Sequence, residues 1–367
     1  MYTYNSTDQT IIAERVAQFR DQTQRFLNGD LSEREYLPLR LQNGVYVQRH
    51  APMLRVAIPY GLLNSAQLRM LARIAREFDK GYGHISTRQN MQFNWPELAD
   101  TPDILALLSE VEMHAIQTSG NCIRNTTTDQ FAGVAADEVV DPRPYCELIR
   151  QWSSFHPEFN YLPRKFKIAV GADAEDRAAV RVHDIGLKVR KQDGQVVFDV
   201  LVGGGLGRTP MIGSLIRQGL PEQDLLAYLQ AIVRVYNRYG RRDNKYKARI
   251  KILVKALTPA GFAERVEAEF AALDRHALAL TAEQITTMRE YFAPLAPAID
   301  AQTVQARQRN LEQHQSQTQA FAQWLKQNTH AHNKSGYANV TLTLKTSHLP
   351  PGDVSDEQLD AIAELAD

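Results

Sequence analysis

Cysteine is nearly absent: Cys122 and Cys146 are the two thiols in 367 residues. Two thiols cannot frame a disulfide-stapled fold, so a reducing, cytoplasmic setting is the expectation. Nor can two at this spacing alone make a zinc site or hold an iron–sulfur cluster. No apolar run reaches the length of a membrane span, and the polar start, Met1 to Thr10, has no signal-peptide core. Net charge is lacking as well, since Lys+Arg and Asp+Glu both total 42. No global field draws such a chain to nucleic acid or an anionic membrane. Any functional basic cluster has to be local.

What is present is the composition of a globular protein, 44% hydrophobic and 23% charged, long enough for two or three domains. Residues 11–27 carry Ile12, Val16, Phe19 and Phe26 at helical spacing. An apolar strand, Met53 to Ile58, is halted by Pro59 and Gly61; a helix follows with Ser65 as N-cap and Leu68, Leu71, Ile74 and Ala75 on one face. Gly81 and Gly83 end it, a long polar strand spans His84 to Trp95, and a further helix covers about 102–115. This β-α-β-α order reads as a ferredoxin-like half-domain. Beyond it the pattern predicts a helix over 141–156, strands at 165–171, 179–190 and 195–202, and helices near 221–239, 258–274 and 281–291. A Gln-rich helix at 301–328 and a polar linker, Thr329 to Gly336, come next. The strand–helix pattern then recurs, Asn339 to Leu344 followed by Glu357 to Ala366, as the start of a second half-domain. The fold class is therefore α+β, with units at 1–117, 118–300, 301–335 and 336–367.

One hexapeptide stands out: Leu162-Pro163-Arg164-Lys165-Phe166-Lys167. Pro163 closes a turn, and alternation along the strand puts Lys165 and Lys167 on one side, Phe166 and Ile168 on the other. A lone Lys-x-Lys is ordinarily a solvated face. In the strand 84–95, His84, Ser86, Arg88, Asn90 and Gln92 alternate with Ile85, Met91 and Phe93, so the polar set meets either solvent or a polar ligand. Arg55 interrupts an apolar strand, either snorkelling at an edge or aimed at an anion. Arg124 lies in the turn-rich stretch Thr118 to Thr126. Gly203-Gly204-Gly205-Leu206-Gly207 fails the spacing of a pyrophosphate loop, because Thr209-Pro210 follows at once. It is either a place where backbone approaches a large flat ligand or a plain turn.

Together, Met53 to Val56, Ser86 to Phe93, Asn121 to Asn125, Leu162 to Lys167 and Leu201 to Leu206 follow the order and approximate spacing found in another group of proteins. From about residue 40 onward the chain resembles the siroheme-dependent nitrite and sulfite reductases, nearest to the hemoprotein subunit of assimilatory sulfite reductase. The resemblance implies a mixed α/β siroheme-binding domain at 118–300. It implies that Arg55, Arg124, Lys165 and Lys167 surround the substrate oxyanion, and that Arg88, Gln92 and Arg164 meet siroheme carboxylates. His84, Gly204 and Gly205 are counted with the cofactor contacts, His84 standing where a further arginine can stand in a sulfite reductase. The reaction implied is six-electron reduction of sulfite to sulfide, with a flavoprotein subunit or ferredoxin as electron donor and no nucleic acid or membrane partner.

The family also holds a 4Fe-4S cluster through Cys-x5-Cys and Cys-x3-Cys pairs, which Cys122 and Cys146 do not match. The cluster ligands are therefore expected beyond Asp367, no metal ligand within the chain, and the chain as given is expected to be a truncated and inactive reductase. Ile362 and Leu365, lacking the rest of their half-domain, are expected to be left without a sheet to cover. Two alternatives remain: a nitrite reductase of the same family, and a non-catalytic anion- or tetrapyrrole-binding protein that ends at Asp367.

Overall fold

The structure is a computed structural model describing residues 3–293 and 299–367; the last stretch of the expected second unit, 294–298, lies outside the described residues. Helix α1 (Ser6–Leu27) opens on a capping box between Asn5 and Asp8 and buries Ile12 and Phe19. After α2 (Glu33–Gln42) come β1 (Val45–Val47), β2 (Pro52–Val56), α3 (Ser65–Phe78), β3 (Tyr82–Ile85), β4 (Met91–Phe93) and α4 (Thr101–Glu110). The N-cap of α3 is Asn64, in a capping box with Gln67, one residue before the expected Ser65.

The strand expected at 84–95 is a hairpin. His84 pairs with Gln92 and Ile85 with Met91 across antiparallel β3 and β4, and Ser86 to Asn90 turn the chain with Gln89 at φ +57°. Residues directly opposite in an antiparallel pair point to the same side. The polar–apolar alternation therefore survives the reversal and gives no sign of it. Arg88 goes to the tip rather than to the face of His84.

The second unit comprises α5 (Arg143–Ser153), β5 (Ile168–Gly171), β6 (Ile185–Gln192), β7 (Gln195–Val202), β8 (Ser214–Pro221), α6 (Leu225–Tyr239), α7 (Ile250–Leu257), α8 (Pro259–Ala272) and α9 (Ala282–Tyr291). Its sheet runs β5-β6-β7-β8, with β5 and β6 parallel and the other pairs antiparallel. Strand β5 begins at Ile168, not Lys165, and 179–184 is turn and a short 3-10 segment rather than strand. Phe166, Ile168, Leu187, Phe198, Ile232 and Tyr236 share its core. Residues 121–128 run beside 162–170: Leu162, Phe166 and Val170 donate amides to Asn121, Cys122 and Thr127, while Arg124 and Thr127 donate back to Phe166 and Ile168. This seam carries the candidate site residues Arg124, Lys165 and Lys167.

The helix expected at 301–328 breaks into α10 (Ala301–Gln317) and α11 (Gln319–Asn328), with Thr318 extended between them. The expected linker contributes β9 (Thr329–Ala331), paired with β10 (Ala338–Val340), and no strand continues over 341–344. Then β11 (Asp353–Ser355) joins β3 antiparallel, giving a first sheet ordered β1-β2-β4-β3-β11. Helix α12 (Asp356–Ala366) packs on α3, where Arg76 reaches Asp356 at 2.7 Å and Asp360 at 2.6 Å. Val354, Leu359 and Ala363 enter the core of the first unit together with Phe19, Leu54, Leu71 and Phe93. Ile362 is partly covered by that core, against the expectation, while Leu365 is 78% exposed. Among the described residues no helix is long and apolar enough to cross a membrane.

Candidate functional site

The tip of the β3–β4 hairpin is latched onto the seam by side-chain amides. Gln89 donates to the Thr128 carbonyl at 2.9 Å and accepts from its amide at 3.3 Å. Asn125 donates to Asn90 Oδ1 at 2.9 Å and to the Ile58 carbonyl at 2.7 Å. Both asparagines are buried, so each satisfied amide avoids a desolvation penalty that an unpaired one would carry. The latch fixes where Arg88 enters.

Arg88 reaches across the seam. One Nη donates to Thr127 Oγ1 at 2.9 Å and to His183 Nε2, the other to the carbonyls of Asn125 and Ile168. Its Nε is buried without an acceptor. Burial brings the guanidinium down to about 10, with Asp184 opposing and Arg124 and Arg249 adding to the fall. Beside it opens a cavity of about 530 Å³, walled also by Lys165, Lys167, Arg177, His183 and Arg249. Arg177 is neutralised by Asp129 and Asp137. Arg249 is held bidentate by Asp184, which is fully buried and also accepts the Lys167 amide at 2.9 Å. Among the described residues Arg88, Lys165 and Lys167 make no ion pair with a carboxylate at the cavity wall, although Asp184 acts on Arg88 and Lys167 through its charge.

The lysine pair faces the cavity as the alternation predicted, although the regular strand starts only at Ile168. Burial pushes both ammonium groups down to about 8. Arg124 and Arg164 add to the effect on Lys165, Arg88 and Arg249 to that on Lys167. The unfolded chain keeps these protons up to the ordinary value near 10.5, while the folded chain releases them above about 8. Stability of the ligand-free protein should therefore rise between those pH values. Lys167→Met should stabilise it at pH 7 by about 1–2 kcal/mol, a figure discounted for partial solvent exposure, and the gain should shrink toward pH 10. Urea melts at both pH values check this; a variant less stable than wild type at pH 7 would refute it.

Arg55 and Arg124 stand beside the cavity rather than in its wall. Both donate to the carbonyl of Thr118, at 3.2 and 2.7 Å, and Arg124 also holds the Gly120 carbonyl at 2.6 Å. Burial lowers Arg55 from its ordinary value, with Arg124 contributing, while the Tyr46 ring lies 5.2 Å beneath its guanidinium. The turn from α2 into β1, which packs against Arg55 and Thr118, needs glycine at 44, where φ is +77° and a Cβ would lie 2.6 Å from the Arg55 carbonyl.

The remaining expected contacts do not reach the cavity. Gln92 accepts from Arg55 at 2.6 and 2.9 Å, which places it as that arginine's support. His84 pairs with Asp353 at 2.7 Å across β3 and β11, close to the hairpin turn but outside the cavity wall. Arg164 stays outside the wall and acts on Lys165 through its charge. Gly204 packs tightly against protein backbone, where a Cβ would lie 2.5 Å from the Arg181 carbonyl. Gly205 lies behind the wall near Lys251, while the adjacent Leu206 and Gly207 line the cavity.

Sequence reasoning missed Arg249, Asp184, His183 and the threonines 127 and 128. A signal for Arg249 existed, since Lys245, Lys247 and Arg249 alternate just before α7 and Lys251 follows in its first turn. Lys251 is buried and donates to the Leu206 and Thr209 carbonyls, pinning the glycine loop at the mouth. The thiols lie elsewhere. Cys122 Sγ donates to the Ser119 carbonyl at 3.1 Å, and Cys146 is fully buried in α5. Among the described residues no three His, Cys, Asp or Glu side chains gather as a metal site would require.

Comparison with known proteins agrees with this architecture. The family model described as the nitrite and sulphite reductase 4Fe-4S domain matches residues 119–272, and that of the nitrite/sulfite reductase ferredoxin-like half domain matches 46–111. The chain is 33% identical over 219 residues to a sulfite reductase [ferredoxin] of Mycobacterium tuberculosis, covering 59% of this chain and 39% of the relative. It is 31% identical over 221 residues to the chloroplastic ferredoxin–nitrite reductase of Arabidopsis thaliana, covering 59% and 38%. The chain thus spans about two-fifths of the length of these relatives. The solved structure of the Mycobacterium tuberculosis NirA protein superposes with a TM-score of 0.70 at 25% identity, covering 91% of this chain and 57% of that one. With both sides of its seam inside the match at 119–272, this chain carries two domains of the nitrite and sulfite reductase family.

Proposed function

We propose that the chain forms the siroheme- and oxyanion-binding part of a sulfite reductase. The family carries siroheme and a 4Fe-4S cluster. The observation that supports the reading is the set of three cations, Arg88, Lys165 and Lys167, which meet in one cavity without a carboxylate among them. Buried cations left unpaired cost free energy unless an anion joins them. A tetrapyrrole with eight carboxylates supplies such anions, and the orphaned Arg88 Nε is one donor still to be used.

The siroheme fits; the cluster does not fit these residues. Four thiolates are required; the chain has two cysteines, both buried, and among the described residues no three possible metal ligands gather. Incubating the chain with ferrous iron and sulfide under reducing conditions should leave no 4Fe-4S absorbance. A stoichiometric cluster would overturn this assignment.

When bound, siroheme supplies an iron that ligates the sulfur of sulfite and carries electrons to it. The chain's residues perform two other tasks. Arg55 and Arg124, held against the Thr118 and Gly120 carbonyls, keep fixed positive charge beside the site and offset repulsion as the anion approaches. Lys165 and Lys167, whose ammonium groups titrate near 8, can hold a proton at Nζ and release it to a sulfite oxygen leaving as water. Ferredoxin is the electron donor that the names of the relatives favour over a flavoprotein subunit. The test is spectroscopic: sulfite added to the siroheme-loaded chain should perturb its visible absorbance saturably, and Lys165→Met with Lys167→Met should abolish the perturbation. A spectrum indifferent to sulfite would refute the proposal.

A further inference from the structure

The imidazole of His183 borders the cavity between two fixed partners. Its Nδ1 is 2.7 Å from the Ala179 carbonyl, which can only accept, so Nδ1 carries the proton. Nε2 is then a bare lone pair, and Arg88 Nη1 donates to it. The tautomer follows from these contacts. Burial beside Arg88, Lys167 and Arg249 keeps the ring neutral, its pKa lowered to about 3. Every acceptor of Arg88 is accordingly uncharged: a threonine hydroxyl, two backbone carbonyls and a neutral histidine. The other two arginines of the wall, Arg177 and Arg249, are tied to carboxylates.

This difference has a chemical meaning. A carboxylate at 183 would orient the Arg88 guanidinium equally well and cancel its charge. A neutral acceptor orients it without adding a negative charge of its own, so the guanidinium charge, offset only by the more distant Asp184, stays available to the cavity. We infer that His183 is a positioning residue that aims Arg88 at a polyanionic ligand without neutralising it, so that affinity for tetrapyrrole carboxylates depends on an uncharged acceptor at this position. The inference rests on the siroheme reading above and adds a determinant to it.

Three substitutions separate orientation from charge. Gln can place an acceptor oxygen where Nε2 now lies, Asp offers an acceptor with a negative charge, and Leu offers neither. The probe is the iron-free form of siroheme, titrated into the 367-residue chain and followed by its visible absorbance band. Circular dichroism and urea melts run alongside. His183→Gln should bind within about threefold of wild type, because one neutral hydrogen bond replaces another. His183→Asp should bind at least about tenfold more weakly, as an ion pair withdraws Arg88 from the ligand. The same variant should be as stable as wild type or more so when ligand-free, a split that general damage to the fold would not produce. His183→Leu should weaken binding and destabilise the chain together; if it fails to fold, the Gln and Asp pair still decides. Should Asp bind as tightly as Gln, the role given to His183 is wrong. Arg88→Ala separates the two levels: if wild type does not bind the probe, or Arg88→Ala binds it equally, the siroheme reading itself fails. If Arg88→Ala weakens binding while Gln and Asp behave alike, only the inference about His183 fails.

Discussion

Replacing Arg88 by alanine should lower the affinity of the chain for iron-free siroheme by about 10- to 100-fold, the loss expected when a charge-assisted hydrogen bond of about 1.5–3 kcal/mol is removed. Arg88 enters the cavity from the hairpin tip with one nitrogen still lacking an acceptor. Arg69→Ala is the matched control. It also removes an arginine, but from the exposed face of α3, where its partner is Asp367. It should leave affinity unchanged. Part of the Arg88 effect will be structural, since the Asn125 and Ile168 carbonyls lose a donor. Affinity should therefore be compared only between variants whose circular dichroism matches wild type. Equal affinity in the two variants would remove Arg88 from the site.

A second large effect concerns the choice of anion. Sulfite is a monoanion or dianion near neutral pH with three oxygens, whereas nitrite is a monoanion with two. One cation at about 4 Å is worth a few kcal/mol per unit of ligand charge at an effective dielectric near 20. In a reductase holding both siroheme and its cluster, Lys167→Asn should lower kcat/KM for sulfite by about tenfold or more relative to nitrite. The position of Lys167 supports this expectation: its backbone amide is anchored on Asp184 and its ammonium faces the cavity beside Lys165. Kinetics on both anions with one enzyme preparation give the ratio. If the ratio does not change, sulfite loses its main support over nitrite.

The lysine pair could be read from the chain because alternation is a local property. Lys165 and Lys167 share a side whether or not Lys165 belongs to a formal strand. The hairpin at 86–90 could not. Ser86-Thr87-Arg88-Gln89 has neither an Asn-Gly nor a Gly pair to announce a turn, and the positive φ falls on Gln89, a residue that seldom adopts it. Its tip is stabilised from a distance, by Thr128 and Asn125. Arg249 escaped for a related reason: what brings it to the cavity is Asp184, 65 positions away. Strand β8 was obscured by Gly219 and by the register shifts against β7, both of which blur a period of two. The helical pattern of α12 was plain, but sheet pairing is not encoded in a strand's own residues. Nothing in Asp353-Val354-Ser355 names β3 as its neighbour.

That last pairing bears on the order in which the molecule is built. Asp353 meets His84 at a sequence separation of 269, and the apolar face of α3 is completed by Leu359 and Ala363. On a ribosome adding about 5–20 residues each second, β3 emerges tens of seconds before its partner exists. During that interval its outer amides and carbonyls are open to any other strand, including the same strand on a neighbouring nascent chain. Completion of the first sheet is therefore a late event, after β5 to β8 have had time to pair among themselves. A chaperone that shields the first unit during synthesis should raise the yield of native protein more than one supplied after release.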